Sequence, residues 1–142
     1  MTRSLLQRSV LAIVGVVIMG LGLNVGLGGI PTLGWQTSDT FITVTNEVLY
    51  LVQDSHVRFI GGVWFSVGAI FCLGAFLVNK LRTTLITMCL AIALAGLFRL
   101  SGLEGGVVFS ASILPSLMLE VFGFPLLAWW LSQSVRPESP SD

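Results

Sequence analysis

Polar and charged residues are so sparse along this chain that four apolar stretches stand out from what lies between them. The first runs from about Ser9 to Leu27 and has no charge after Arg8. The second, about Phe59 to Val78, is also free of charge and ends at the polar cluster Asn79, Lys80 and Arg82. The third needs Leu81 to about Leu100 to reach full length, with Arg82 snorkelling at one end and Arg99 inside the other. The fourth, about Val108 to Leu131, contains Pro115, Glu120 and Pro125. Each is close to the roughly 20 residues a helix needs to cross a bilayer. The prolines predict a kink in the last one, because their missing N–H groups leave carbonyls for neighbouring helices to satisfy.

Between the first two stretches, Gly28, Gly29, Pro31 and Gly34 break the chain. Phe41, Val44, Val48 and Val52 then recur at helical spacing, with Thr43, Asn46, Glu47, Tyr50 and Asp54 mostly elsewhere. That spacing predicts a short interfacial helix within 41–57, although Thr40 to Thr45 also alternates like a strand. From Arg136 to Asp142 the residues are two prolines, two serines, two acids and one arginine, the composition of a disordered tail. The expected fold is therefore all-α: a four-transmembrane-helix bundle with a short interfacial helix between the first two spans. Residues 1–135 form a single membrane domain and 136–142 a cytoplasmic tail.

Composition supports lipid as the solvent. With 142 residues, 54% hydrophobic and only 10% charged, the chain has more apolar surface than one small soluble core could bury. Its net charge is zero and the basic residues are scattered, which gives no electrostatic grip on nucleic acid. Arg3 and Arg8 before an apolar run also describe a signal peptide. The length of the run and the lack of an Ala-x-Ala-like cleavage site favour an uncleaved anchor. In a four-span arrangement Arg3, Arg8, Lys80, Arg82 and Arg136 fall on one side, the expected cytoplasmic face, so both termini point inward. Trp129 and Trp130 lie near that face, where indoles commonly meet the headgroups.

Candidate chemistry rests on charges that are costly to bury: one at the centre of a spanning helix costs on the order of 3 kcal/mol on insertion scales. Arg58, Arg99 and Glu120 qualify, and Asn24 near the outer end of the first span belongs to the same layer. One expectation is a polar pocket in the outer half of the bundle, where the arginines bind an anionic or carbonyl-bearing head and Glu120 acts as counter-ion or proton-titrating group. The other is a structural ion pair between Arg99 and Glu120, with Arg58 snorkelling. His56, the single histidine, has only Asp54 and Glu47 nearby, so no metal and no cofactor is expected. Cys72 and Cys89 lack Cys-x-x-Cys spacing and are expected to be small packing residues. Gly22 and Gly26, Ala91 and Ala95, and Gly61, Gly62 and Gly68 suit close helix packing, within the chain or between copies. No P-loop or dinucleotide fingerprint accompanies these glycines, and Ser110, Ser112 and Ser116 have no neighbouring base.

The run His56-Val-Arg58-Phe-Ile-Gly61-Gly62-Val-Trp-Phe-Ser-Val-Gly68, then Gly96-Leu-Phe-Arg99-Leu-Ser101, then Glu120 with Pro125 and Trp129, resembles a bacterial family of small four-helix membrane proteins known as a domain of unknown function. That family is distantly similar to the DoxX and DoxD-like membrane proteins. The resemblance covers nearly the whole chain. It implies a four-helix bundle in the bacterial inner membrane, with Arg58, the glycines after it, Arg99 and Glu120 as matching positions, and it implies no established reaction. Some relatives carry labels connected with phage infection, and DoxD-like proteins are associated with quinone-linked oxidation; no residue set here matches either activity. Three roles follow as expectations. The first is a protein that binds or moves a small amphiphile, lipid or quinone-like, at Arg58, Arg99, Glu120 and Asn24. The second is a structural or partner-binding membrane subunit, forming a homo- or hetero-oligomer through glycine-rich helix faces. The third, an intramembrane enzyme, would depend on Glu120 alone; an enzyme is the less expected outcome.

Overall fold

The computed structural model describes residues 2–34, 44–102, 110–111 and 113–133, and every regular element among them is helical. Helix α1 spans Thr2–Gly28 and is followed by a 3₁₀ turn, Ile30–Gly34. Helix α2 spans Glu47–Phe76, and after the single residue Leu77 helix α3 spans Val78–Phe98, continued by a 3₁₀ turn Arg99–Gly102. The last span is built from α4 (Leu114–Met118), a π-helical turn (Leu119–Gly123) and α5 (Phe124–Ser132). Four stretches, Leu5–Gly28, Glu47–Phe76, Val78–Ser101 and Leu114–Ser132, are long and apolar enough to cross a membrane. The all-α, four-span fold expected from the hydropathy pattern is thus the fold the chain adopts.

Two boundaries differ from expectation for identifiable reasons. Asn46, in extended backbone, accepts the Leu49 N–H at 3.1 Å and so caps the start of α2. From there no glycine or proline occurs until Gly61, and the helix runs on without a break for 30 residues. The segment expected as a separate interfacial helix is, from Glu47 onward, the beginning of the second span itself; residues 41–43 lie outside the described residues. Among the described residues, the short helix between the first two spans is the 3₁₀ turn after Gly29. In the last span, Pro115 lies in the first turn of α4, where an N–H has no helical partner to lose, so it starts the helix and does not bend it. Residues 103–109, in which the earlier start at Val108 was expected, and the tail 136–142 are outside the described residues.

Pro125 acts differently. The N–H of Phe124 reaches back five residues to the Leu119 carbonyl, so the chain accommodates a proline inside a span by inserting one π turn before it. Where a kink was expected the structure has this π turn, and Glu120 sits inside it.

The helices belong to two compact units, Met1–Val78 and Asn79–Asp142. In the first, α1 and α2 pack along a seam of small residues. Gly15 faces Gly68 and Cys72, Gly22 faces Gly61 and Phe65, and Gly29 faces Asp54 and Arg58. Successive contact points are seven residues apart on both helices and run in opposite directions, which defines one antiparallel register held over two heptads. A Cβ on Gly22 would lie 2.8 Å from the Phe65 Cα, and one on Gly61 would lie 2.5 Å from the Gly26 Cα. Backbone meets backbone here, the close approach that lets helices attract each other in lipid, where no hydrophobic force drives them together. Gly22 and Gly26, a pair the sequence left free to pack within or between chains, are used within the chain.

In the second unit the buried positions of α3, Leu85, Cys89, Ile92 and Gly96, recur at steps of four and three, and so mark one face. On the last span Leu117, Glu120, Phe124, Leu127 and Leu131 do the same. A carboxylate therefore occupies a core position in an otherwise apolar stripe.

Candidate functional site

Each unit holds one polar cluster. In the first, Gly29 ends α1 in the left-handed region (φ +70°), which a side chain would strain and which only glycine adopts without cost. The turn delivers the Ile30 N–H to Asp54 Oδ1 at 2.8 Å. Asp54 Oδ2 takes the Arg58 Nε at 2.6 Å, one helical turn further along α2. Arg58 then extends to the end of α1, where its Nη1 donates to the Leu27 carbonyl and its Nη2 to the Gly28 carbonyl at 3.4 Å. Thr32 Oγ1 donates to the Gly29 carbonyl at 2.6 Å and closes the turn. The last carbonyls of a helix have no intrahelical donor, and the Arg58 guanidinium supplies it from the neighbouring helix, with Asp54 holding that guanidinium in place. This clasp joins the end of α1 to α2 and leaves both oxygens of Asp54 satisfied.

In the second unit, Arg99 follows the last residue of α3 and its Nη2 lies 2.9 Å from Glu120 Oε1. Arg99 Nη1 also donates to Ser116 Oγ at 3.4 Å, while that hydroxyl donates to the Ile113 carbonyl at 2.9 Å. The two partners differ in exposure: the Arg99 side chain is 44% exposed and that of Glu120 only 9%. Glu120 Oε2 is buried and has no hydrogen-bond partner among the described residues. Gly96 makes this placement possible, since a Cβ there would lie 2.7 Å from the Glu120 Cβ and 3.2 Å from Oε2. The cluster is a half-satisfied carboxylate beneath a half-exposed guanidinium, with polar donors at the surface and an unfilled acceptor below.

Of the residues expected at one site, the structure brings Arg99 and Glu120 into direct contact. Arg58 is bound to Asp54 and to the end of α1, and Asn24 lies exposed on α1 and is not among Arg58's partners. Asp54 was assigned only to the polar side of a helix, and its role in binding Arg58 was missed. Its signal was present in the acid-to-arginine spacing of four residues, preceded by the Gly28-Gly29 pair that ends the first span. The heptad Gly15, Gly22 and Gly29 was likewise legible and was not read as one series.

Four helices long and apolar enough to cross a membrane mark a multi-pass membrane protein. The family described as Domain of unknown function (DUF4345) matches residues 6–131, and the chain belongs to it. No curated protein and no solved structure matches the chain.

Proposed function

We propose that this protein binds a small amphiphile within the membrane, its polar head engaging Arg99 and Glu120 while its tail lies along the apolar surface of the last span. The observation that carries this reading is the unequal satisfaction of the pair: Glu120 is bound on one oxygen, buried on the other, and covered by a guanidinium with free surface. A buried polar atom left without a partner costs about 1–3 kcal/mol, and an ionisable residue held inside a span despite that cost marks a functional site by default. Met118, Leu119 and Phe122 beside it are exposed and offer apolar surface for a tail. Arg58 and Asn24 add nothing to this reading, because Arg58 already serves the clasp. The same reading puts the chain in a bacterial cytoplasmic membrane with both termini inside, supported by the positions of Arg3, Arg8, Lys80, Arg82 and Arg136.

Native mass spectrometry of the protein purified in mild detergent tests it. A discrete small molecule should be retained by the wild type and lost from folded Arg99→Ala; an empty wild type counts against it. A second reading, a structural or partner-binding subunit, is favoured by the direct 2.9 Å contact between Arg99 and Glu120, which by itself ties α3 to the last span. Under that reading Arg99→Ala loses stability or assembly and no ligand, and an oligomer would use faces other than Gly22 and Gly26.

A further inference from the structure

Glu120 carries a second acceptor that lacks its helical donor, and this follows from the sequence around it. In an α-helix the Glu120 carbonyl would accept the Phe124 N–H four residues on. That N–H is bonded to the Leu119 carbonyl. The π turn shifts the pattern by one residue, so the donor in π register would be residue 125, a proline with no N–H to give. Neither helical donor therefore reaches the Glu120 carbonyl. The side chain of the same residue is more than nine-tenths buried, and its Oε2 has no hydrogen-bond partner among the described residues. In a bilayer no bulk water is at hand to satisfy such groups, so each calls for a donor from elsewhere.

We infer that the head of the bound amphiphile is a neutral hydrogen-bond donor, a hydroxyl group, which gives its proton to an acceptor of Glu120 and receives a hydrogen bond from Arg99. This inference rests on the amphiphile-binding reading and narrows it. A free carboxylate head would add a second anion beside Glu120, where like charges repel. An ester or ketone head could accept from Arg99 but has no proton to give to Glu120. A hydroxyl donates one proton and accepts in return, so it complements the donor of Arg99 and one acceptor of Glu120 at once. Gly96 fixes the carboxylate in this position: a side chain there would collide with the Glu120 Cβ and move Oε2.

The experiment compares three probes of equal chain length, hexadecanol, methyl hexadecanoate and hexadecanoate, by equilibrium binding to the full-length protein in mild detergent. Hexadecanol should bind about tenfold or more tightly than the methyl ester, the change expected for one net hydrogen bond to a charged acceptor. Glu120→Leu, which removes Oε2 and leaves the backbone carbonyl, should reduce that preference. Should Glu120→Leu fail to fold, Pro125→Ala provides the second variant. It restores an N–H at residue 125 and removes a helix-interior proline, so it should fold at least as well while reducing the preference for the alcohol. Methyl ester or hexadecanoate binding as tightly as hexadecanol overturns the hydroxyl assignment and leaves the amphiphile reading standing. Binding of none of the three overturns both.

Discussion

The clasp of the first unit and the ion pair of the second are both arginine–carboxylate contacts, yet they are finished to different degrees. Around Asp54 and Arg58, the carboxylate accepts from Ile30 and Arg58, and the guanidinium caps the carbonyls of Leu27 and Gly28. Around Arg99 and Glu120, one carboxylate oxygen is bound, the other is not, and the backbone carbonyl beneath them has lost its helical donors to the π turn and Pro125. A completed network fixes a structure, whereas an incomplete one in a membrane leaves a demand that something outside the chain can meet. On the proposed reading, the contrast separates a structural use of paired charge from a functional one within one chain.

Four substitutions test that contrast. The largest effect should come from Gly61→Ala, whose new Cβ meets the Gly26 backbone and forces α1 and α2 apart; a loss of about 3 kcal/mol, the upper range for overpacking, should appear in detergent unfolding titrations. Asp54→Ala should follow, since it strips the Ile30 N–H and Arg58 of their shared partner. Thermal unfolding should show a clear loss, with amphiphile binding unchanged in the protein that remains folded. Glu120→Gln should behave in the opposite way, shifting stability by about 1 kcal/mol or less while binding weakens, because the amide keeps the shape of the carboxylate but gives up its charge toward Arg99. If Asp54→Ala instead abolished binding and Glu120→Gln only unfolded the protein, the assignment of roles would be reversed. The smallest effect is a gain: Gly62 faces open space inside α2, so Gly62→Ala should stabilise by about 0.5–1 kcal/mol through helix propensity alone.

The four spans were legible because hydropathy over some 20 residues is a strong signal, and the contact of Arg99 with Glu120 was legible because charges are scarce in apolar sequence. What escaped notice depended on register. Arg58 was read as a member of a pocket because its depth was clear, whereas its binding to Asp54 depends on one helical turn of α2 and on the left-handed Gly29 that presents Ile30 to it. The independent interfacial helix was inferred from the helical spacing of Phe41, Val44, Val48 and Val52, but that spacing does not show where a helix stops when no glycine or proline intervenes. The prolines of the last span were recognised as disruptive in common, though one opens the helix and the other imposes a π turn; residue type alone does not distinguish those positions.

The uninterrupted length of α2 has a mechanical consequence. Thirty residues at about 1.5 Å each make a rod of about 45 Å, while the hydrocarbon layer is about 30 Å thick. The excess must tilt or protrude, and the unbroken hydrogen bonding makes the protruding part a stiff lever continuous with the part inside. Its fulcrum is the glycine seam and its brace is the clasp at Asp54 and Arg58. A sideways load on the Glu47 end, from headgroups or from another protein, would be felt as torque along the α1 contact and would not be lost in a flexible loop.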